Sequence, residues 1–318
     1  MPNESILIVG SVAYDSIKTP YGSRPNTLGG SATYSSVAAS YFSAVNLVAI
    51  VGNDFRDESI FQSHGIGTAS LEKAHGETFQ WIGEYRNDFS ETLTIDTKLN
   101  VFSDFKPLLG SEEKNSEYLF LGNIDPDLQK DVLHQMNHRP KLVVGDTMNY
   151  WIESKPDPLN EVIELLDALL INESEVKLLA KEPNLVKAAR LILKKGPSIL
   201  VIKRGGAGLI GFTSSDTFVI PAYPIDEVVD PTGAGDTFAG GFLGYLSATG
   251  TLSKKNLRQA MVIGSVLASF TVETFGVDRL DSLTNKDIQE RYENFRAMTK
   301  FDTNVDIKVP SQKQLSKT

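Results

Sequence analysis

The sequence contains no cysteine among its 318 residues. Disulfide bonds, thiolate metal sites, iron–sulfur clusters and cysteine nucleophiles are therefore excluded. It also lacks an uninterrupted apolar run of about 18 residues, so no membrane-spanning helix is expected. Lysine and arginine total 31 against 40 aspartate and glutamate residues, and the net charge is −9. This balance leaves no general basic field that would hold nucleic acid or anionic lipid.

Signals for export and for a P-loop are also missing. The first residues lack the basic stretch of a signal peptide, and the apolar run Ile6–Val9 is too short for its hydrophobic core. No Gly-Lys dipeptide occurs, which excludes a Walker A loop and with it the P-loop kinases. Hydrophobic residues make up 41% of the chain, enough for an ordinary globular core. We expect a soluble cytoplasmic protein.

Short runs of β-branched residues and leucine alternate with segments whose apolar residues recur at helical spacing. The predicted strands are Ile6–Gly10, Val45–Gly52, Tyr118–Asn123, Leu142–Asp146, Ala168–Asn172 and Ile199–Lys203. The predicted helices include Asp127–Met136, Leu159–Leu166, Asn184–Leu193, Thr237–Leu246, Lys254–Phe270 and Lys286–Met298. Parallel strands need crossover connections, which are usually helices. The alternation predicts an α/β fold with a mainly parallel central sheet, which binds ligands at the carboxyl ends of its strands.

Residues Thr78–Phe105 depart from this pattern. Polar and apolar residues alternate over Phe79–Tyr85 and again over Thr92–Thr97, which predicts a β-hairpin. We interpret Tyr14–Thr27 as a polar loop that completes a small lid with this hairpin. An edge hairpin without a function is the alternative. We expect a single domain over residues 1–318, with lid segments at about 11–28 and 76–106 and a frayed tail at 308–318.

The most informative stretch is Asp230–Gly241, which reads DPTGAGDTFAGG. Its glycines allow a tight turn and a close approach to a ligand, and the helix that begins there offers unpaired N–H groups to an anion. Asp236 is placed to accept a proton from a substrate hydroxyl group while the amides of Gly233, Ala234 and Gly235 hold phosphoryl oxygens. This arrangement predicts phosphoryl transfer. A plain helix N-terminus, with its acidic residue favoured by the helix dipole, is the alternative.

Here the sequence resembles the ribokinase-like (PfkB) carbohydrate kinase family, whose C-terminal signature matches Asp230–Leu243. The order of the other elements is similar to that family from residue 6 to about residue 283. The resemblance implies a ribokinase-like three-layer sandwich with a small β-sheet lid. It also implies that Asp236 is the catalytic base and that Gly233–Gly235 form the anion hole.

Near the N-terminus, Asp15 resembles the family's substrate-binding aspartate, and Gly29 with Gly30 its Gly-Gly hinge. Carboxylates suit sugars because they accept hydrogen bonds from adjacent hydroxyl groups, and a Gly-Gly pair gives flexibility between lid and core. Where ribokinase-type members carry an asparagine, this chain has Tyr34, whose ring is suited to stack on a sugar face or a base. Core packing is the alternative for this tyrosine. Asn123 falls where some sugar kinases have a substrate-binding carboxylate.

Two further segments resemble the family's nucleotide site. Asn172 and Glu175 match an Asn-x-x-Glu motif whose oxygens suit a hydrated Mg²⁺ ion on nucleotide phosphates, with Glu175 acting through water. A helix N-cap is the alternative. Lys203, Gly205 and Gly208 correspond to positions that contact the nucleotide. A lysine differs from the hydroxyl residue often found there and is able to pair with a phosphate.

A Gly-x-Gly-x-x-Gly pattern occurs at Gly206, Gly208 and Gly211, directly after a predicted strand. A dinucleotide-binding fingerprint must open a helix, whereas the residues after this pattern predict another strand. We interpret it as a glycine turn between strands. An NAD-dependent dehydrogenase is the alternative that depends on this motif.

The sequence favours an ATP-dependent kinase that transfers the γ-phosphoryl group to a primary hydroxyl group of a sugar, in the manner of ribokinases and fructokinases, with Mg²⁺ as cofactor. A ribonucleoside kinase of the adenosine type is the main alternative, and a non-catalytic nucleotide- or sugar-binding regulator is another. The resemblance also implies a K⁺ ion near Asp230 and Thr232 and a homodimer formed through the lid sheets. Neither a nucleic acid nor a membrane partner is expected.

Overall fold

The computed structural model describes residues 5–86, 89 and 91–300; the tail predicted at 308–318 lies outside these residues. The strands are β1 Ile6–Val9, β2 Ala13–Thr19, β3 Gly22–Gly29, β4 Val45–Val51, β5 Gly67–Lys73, β6 Phe79–Arg86, β7 Glu91–Lys98, β8 Tyr118–Leu121, β9 Leu142–Gly145, β10 Ala168–Asn172, β11 Ile199–Lys203, β12 Leu209–Thr213 and β13 Thr217–Ile220. The helices are α1 Ser31–Ser40, α2 Glu58–Ser63, α3 Pro126–Gln135, α4 Asn149–Ser154, α5 Pro156–Leu165, α6 Glu173–Ala180, α7 Leu185–Leu193, α8 Ala234–Thr249, α9 Lys254–Thr271, α10 Asp278–Asp281 and α11 Asn285–Thr299. None of the helices in the described ranges is long and apolar enough to cross a membrane.

The large sheet has the strand order β13-β12-β11-β10-β9-β8-β1-β4-β5. All neighbours from β11 to β5 are parallel, and β12 and β13 extend the sheet antiparallel. The mainly parallel sheet predicted from the sequence is thereby confirmed. Strand β5 was not predicted, because it lies at the sheet edge and is only partly buried, so it lacks the apolar run of an inner strand.

Two hydrophobic cores cover the faces of this sheet and make the molecule three-layered. In β1, Ile6 and Ile8 contribute to the core that also contains apolar residues of α1, α8 and α9. Leu7 and Val9 contribute to the core formed with α3, α5, α6 and α7. Successive side chains of a strand point to opposite faces, so each inner strand supplies both cores. A strand buried on both faces reads as a continuous apolar run, which is why the inner strands were recognisable.

A second, four-stranded sheet has the order β3-β2-β6-β7. It contains the predicted hairpin as β6 and β7. The loop predicted at Tyr14–Thr27 is wrong, because most of that segment lies in β2 and β3. Pro25 lies in β3 at the sheet edge, where a missing N–H group breaks no ladder hydrogen bond. The register shifts between Asp15 and Ile17 of the partner strand, opposite this proline, and such a bulge absorbs the irregularity.

Candidate active site

The carboxyl ends of four parallel strands lie side by side in the large sheet, in the order β8, β9, β10, β11. Polar side chains stand at these ends: Asn123 and Asp146 shortly after β8 and β9, and Asn172 and Lys203 as the last residues of β10 and β11. Asn172 and Lys203 are direct register partners. The sheet therefore brings together, at the carboxyl ends of its strands, residues that are far apart in the sequence.

Helix α8 begins beside the carboxyl ends of these strands. It starts at Ala234 rather than at the predicted Thr237, because Gly233 is its N-cap with a φ of 75°. A Cβ atom on Gly233 would overlap the ring of Tyr34. The first amides of a helix have no partner within it; of these, the N–H of Ala234 donates to the carbonyl of Pro231 at 3.2 Å. The backbone thus presents helix N-terminal amides beside a tight glycine turn.

Asp236 lies in the first turn of α8 and is partly exposed. Removal of its carboxyl group from water raises its pKa to about 7, and the neighbouring Asp146 carboxylate adds to this, while Lys203 opposes it. A carboxyl group whose pKa lies near neutral is suited to exchange a proton with a substrate hydroxyl group.

Lys203 and Asp146 form an ion pair beside α8. The Lys203 Nζ atom donates to Asp146 Oδ2 at 2.8 Å, and the Asp146 side chain is only 8% exposed. Burial opposes the charge of Lys203, but the carboxylates of Asp146, Glu175 and Asp236 outweigh it and raise the lysine pKa. From its position at the end of a predicted strand, Asp146 was expected to point into the cleft together with Asn123, but it was assigned no role in the site.

Glu175 faces the same group of charges from α6. Burial raises its pKa to about 7, followed by repulsion from Asp146, while Lys203 opposes the rise. Its Oε2 accepts a hydrogen bond from the Asn172 N–H group at 2.7 Å, and Asn172 Oδ1 accepts one from the Glu175 N–H group at 2.9 Å. The Asn-x-x-Glu motif therefore forms a capping box, and the cap places a carboxylate beside the ion pair.

Asp15 lies in β2 and is only 4% exposed. Burial raises its pKa to about 8, and repulsion from Asp230 and Asp236 contributes, whereas a hydrogen bond from the Gly30 backbone opposes the rise. A Cβ atom on Gly29 would overlap the Asp15 carboxyl group. Gly30 has a φ of 93° and is the N-cap of α1. The Gly-Gly pair therefore leaves room for the carboxyl group and lets the chain turn from β3 into α1.

Tyr34 is 1% exposed and belongs to the hydrophobic core. Its ring is therefore packed in the core, which was the alternative to stacking on a ligand. Its hydroxyl group has no hydrogen-bond partner among the described residues. Burial raises its pKa, and the charges of Asp15, Asp230 and Asp236 raise it further. The buried Oδ1 atom of Asn123 also has no hydrogen-bond partner among the residues that the structure describes.

The glycine turn between strands is confirmed. Gly205 begins a single turn of 3-10 helix with a φ of 53°, and nothing lies within 4 Å of a Cβ atom placed there. Gly208 has a φ of 81°, and a Cβ atom would overlap the carbonyl of Ile220. The antiparallel strand β12 follows. The Gly-x-Gly-x-x-Gly pattern therefore opens no helix, which removes the basis of the dehydrogenase alternative.

The small sheet touches the α8 loop through a residue that the sequence analysis did not select. Tyr85 of β6 accepts a hydrogen bond from Thr232 Oγ1 at 3.0 Å, and burial raises its pKa. The alternation of the hairpin places Tyr85 on the same strand face as Phe79 and Trp81, which was the available signal.

Comparisons with known proteins find kinases of similar sequence and fold. A cytidine kinase from Thermococcus kodakarensis is 28% identical over 247 residues, which are 76% of this chain and 88% of that protein. The crystal structure of a nucleoside kinase from Methanocaldococcus jannaschii, an archaeal member of the ribokinase family, matches with a TM-score of 0.73 at 23% identity, over 92% of this chain and 98% of that one. A putative ribokinase II from E. coli, in complex with ATP and Mg²⁺, matches with a TM-score of 0.75 at 18% identity, over 93% and 99%.

The two structures share the fold of this chain. A family model for the pfkB family of carbohydrate kinases matches residues 3–283, which include β1, the whole large sheet, the small sheet and α8. The chain therefore belongs to the pfkB family of carbohydrate kinases and is a phosphotransferase that uses an alcohol group as acceptor.

Proposed function

We propose that this enzyme transfers the γ-phosphoryl group of ATP to a primary hydroxyl group of a sugar. The observation that carries the proposal is the position of Asp236, a carboxyl group with a pKa of about 7 in the first turn of a helix that begins at a tight glycine turn. A base and an anion-binding helix end in one place suit phosphoryl transfer better than binding alone.

In this reaction Asp236 removes the proton of the acceptor hydroxyl group. The hydroxyl oxygen forms a bond to the γ-phosphorus, the bond between that phosphorus and the bridging oxygen of ATP breaks, and ADP leaves with the electron pair. The amides of Gly233, Ala234 and Gly235 stabilise the charge on the transferred group. Because the Ala234 N–H group also donates to Pro231, we expect Gly233 and Gly235 to contribute more.

The residues at the strand ends fit a magnesium ion. Asp146 and Glu175 offer buried carboxylate oxygens beside each other, and Mg²⁺ prefers oxygen ligands and retains several waters. When bound, Mg²⁺ would neutralise charge on the phosphates. We propose that Glu175 holds it through water, with Asn172 fixing the carboxylate through the helix cap. The turn at Gly205 and Gly208 would line the nucleotide.

The acceptor would bind between the small sheet and α8. The charge of Asp236 contributes to the raised pKa of Asp15, and the Asp15 carboxyl group would hydrogen-bond adjacent sugar hydroxyl groups. Gly29 and Gly30 form the hinge beside it. The partnerless polar atoms of Tyr34 and Asn123 are the remaining candidates for contacts to the acceptor, since buried polar groups are normally satisfied.

A ribonucleoside is the second candidate acceptor, and the similarity to a cytidine kinase supports it. The test is ADP release with Mg-ATP and K⁺ against pentoses, hexoses, their phosphates and ribonucleosides, with the product identified by mass spectrometry. Turnover with a sugar supports the first proposal, and turnover with a ribonucleoside supports the second. Tight ATP binding with no product from any acceptor would favour a non-catalytic nucleotide- or sugar-binding regulator.

We further propose that the small sheet is a lid within a single domain and a dimer interface. Its exposed apolar side chains support the interface: Tyr21, Leu93 and Ile95 are 51%, 38% and 56% exposed. Light scattering of the wild type and of Ile95→Lys tests the dimer, because the substitution should produce monomers. A concentration-independent monomer in the wild type would contradict it.

The K⁺ ion would lie near Asp230 and Thr232. The Asp230 carboxyl group is fully buried and accepts hydrogen bonds from the backbone N–H groups of Thr232 and Gly276, so these amides fix the loop that carries the anion hole. Turnover in KCl compared with equal NaCl tests this proposal, and equal rates in the two salts would contradict it.

A further inference from the structure

Helix α3 buries one polar side chain on its apolar face. The buried residues of α3 are Pro126, Gln129 and Val132, and Gln129 is 1% exposed. Val132 belongs to the hydrophobic core on this side of the large sheet. A methionine or leucine at position 129 would fill a similar volume without the cost of removing an amide group from water. The hydrogen bonds of Gln129 therefore have to explain why a glutamine lies here.

The side-chain amide of Gln129 connects two neighbouring strands just beyond their ends. Its Nε2 atom donates to the backbone carbonyl groups of Gly122 at 2.8 Å and of Asp146 at 3.0 Å. An amide nitrogen of this kind carries two donors, so both are used. Strands β8 and β9 end at Leu121 and Gly145, and each of the two carbonyl groups lies one residue further along its chain.

This connection extends the backbone ladder of the sheet. Leu121 and Gly145 are register partners at the ends of β8 and β9, and the Asp146 N–H group still donates to the Leu121 carbonyl at 3.0 Å. The Asp146 carbonyl accepts from Gln129 instead. A buried carbonyl group that loses its donor is costly. Removal of the amide therefore favours a shift of the chain at both strand ends.

Asp146 is held at three of its oxygen atoms. Its Oδ1 accepts from the Thr147 N–H group at 2.8 Å, and its Oδ2 accepts from Lys203 at 2.8 Å. These two bonds orient the carboxylate, whereas the bond from Gln129 fixes the backbone that carries it. The Asp146 carboxylate acts on the charge of Asp236, so a displaced Asp146 would change the surroundings of the proposed base.

The helix that carries Gln129 is itself fixed near the site. At the start of α3, Asp125 Oδ1 accepts from the Asp127 N–H group at 3.0 Å. The Lys155 ammonium group donates to Asp125 at 2.7 Å and to Asp127 at 2.6 Å. A side chain on an element that is held in this way can place its hydrogen-bond partners precisely.

We propose that Gln129 is a positioning residue of the active site: its amide joins the ends of β8 and β9 and so sets the place of the Asp146 carboxylate beside Lys203. Gln129 acts only through Asp146. This inference rests on the proposed function, in which Asp146 belongs to the carboxylates that fit Mg²⁺. Residues that orient a functional carboxylate from behind typically contribute about 10- to 100-fold to activity.

The test compares Gln129→Met with a matched control on the same helix, Gln135→Met. Gln135 also forms two hydrogen bonds with the backbone, from its Nε2 to the Pro107 carbonyl at 2.8 Å and from the Leu109 N–H group to its Oε1 at 3.0 Å. It is the last residue of α3. In Gln129→Met we expect kcat to fall about 10- to 100-fold and the KM for the acceptor to stay within about twofold. In Gln135→Met both should stay within about twofold of the wild type.

Hydrogen exchange followed by mass spectrometry gives a readout that does not depend on catalysis. Without ligands, the backbone amides of Asp146 and Thr147 should exchange about 5- to 10-fold faster in Gln129→Met than in the wild type, the value of one hydrogen bond. In Gln135→Met their exchange should not change. Unchanged exchange in Gln129→Met, or an equal loss of kcat in the two variants, would overturn the inference.

A double-mutant cycle with Asp146→Asn separates positioning from a general loss of stability. If Gln129 acts through Asp146, Gln129→Met should lower kcat by less than about twofold in the Asp146→Asn background. The same fold decrease in both backgrounds would contradict a role through Asp146.

A second variant covers the case in which Gln129→Met does not fold. Gln129→Asn keeps the amide and shortens its reach by one methylene group, so it should lower kcat in the same direction and speed exchange at Asp146 and Thr147. Failure of both variants to fold, with a folded Gln135→Met, would make Gln129 a structural residue and overturn the inference.

Failure of the proposed function gives a different result. A wild type that forms no product from any acceptor would contradict the proposed function. The exchange rates of Asp146 and Thr147 in Gln129→Met would still test whether Gln129 holds the strand ends.

Discussion

At the scale of single residues, Gly233 is a position where the backbone is tightly constrained. Its φ of 75° and its contact with the Tyr34 ring leave no room for a side chain. A left-handed conformation costs a non-glycine residue about 1–2 kcal/mol, and displacement of the ring adds to this. We expect Gly233→Ala to lower the free energy of unfolding by about 1–3 kcal/mol and to lose most turnover, as measured by urea denaturation and ADP release.

Gly206→Ala is the matched control, because a Cβ atom there meets nothing within 4 Å. We expect its stability to stay close to that of the wild type. Equal behaviour of the two variants would contradict the steric account of the α8 turn.

Tyr34 tests whether a partnerless hydroxyl group serves the acceptor. Tyr34→Phe keeps the ring that packs on Gly233 and removes only the hydroxyl group, which has no partner among the described residues. The free energy of unfolding should not fall, whereas the KM for the acceptor should rise about 2- to 10-fold, the value of an ordinary hydrogen bond. Unchanged kinetics together with unchanged stability would place this hydroxyl group outside the acceptor site.

At the scale of elements, the inner strands could be predicted because they are apolar on both sides. The hairpin β6–β7 could be predicted from its alternation. Strands β2 and β3 could not, because Pro25 and the polar residues around it are typical of a loop and are tolerated only at a sheet edge. The ion pair between Asp146 and Lys203 could not be predicted either. It connects the ends of β9 and β11 across β10, and the order of the strands in the sheet cannot be derived from the sequence pattern alone.

The contact between the small sheet and the α8 loop predicts how closure affects the reaction. Tyr85→Phe removes the acceptor of the 3.0 Å hydrogen bond from Thr232. If this bond helps the lid to exclude water, ATP hydrolysis without a sugar or nucleoside should increase and the kcat with acceptor should fall. Tyr21→Phe, at a tyrosine that is 51% exposed in the turn between β2 and β3, is the control. Unchanged ATPase and kcat in Tyr85→Phe would show that this contact has no part in closure.

At the scale of the whole molecule, the carboxyl groups of the site make the stability of the fold depend on pH. Burial raises the pKa of Asp15 to about 8 and that of Asp236 to about 7, against about 3.9 in an unfolded chain. Between these values the folded protein binds more protons than the unfolded chain, so its stability falls as the pH rises. We expect a lower free energy of unfolding at about pH 8.5 than at about pH 5.5 without ligands, measured in urea.

Asp236→Asn should make this pH dependence shallower, because one of the protons bound only by the folded state is lost. Stability that is equal or greater at the higher pH would contradict the raised pKa values of these carboxyl groups.

The most direct test of the whole account compares the wild type with Asp236→Asn, using Mg-ATP and the acceptor found in the panel. Product formation followed by mass spectrometry should fall by about 10²- to 10⁴-fold, the usual contribution of a general base, while calorimetry shows ATP binding largely intact. Turnover of Asp236→Asn within a few fold of the wild type would contradict the assignment of this residue as the catalytic base.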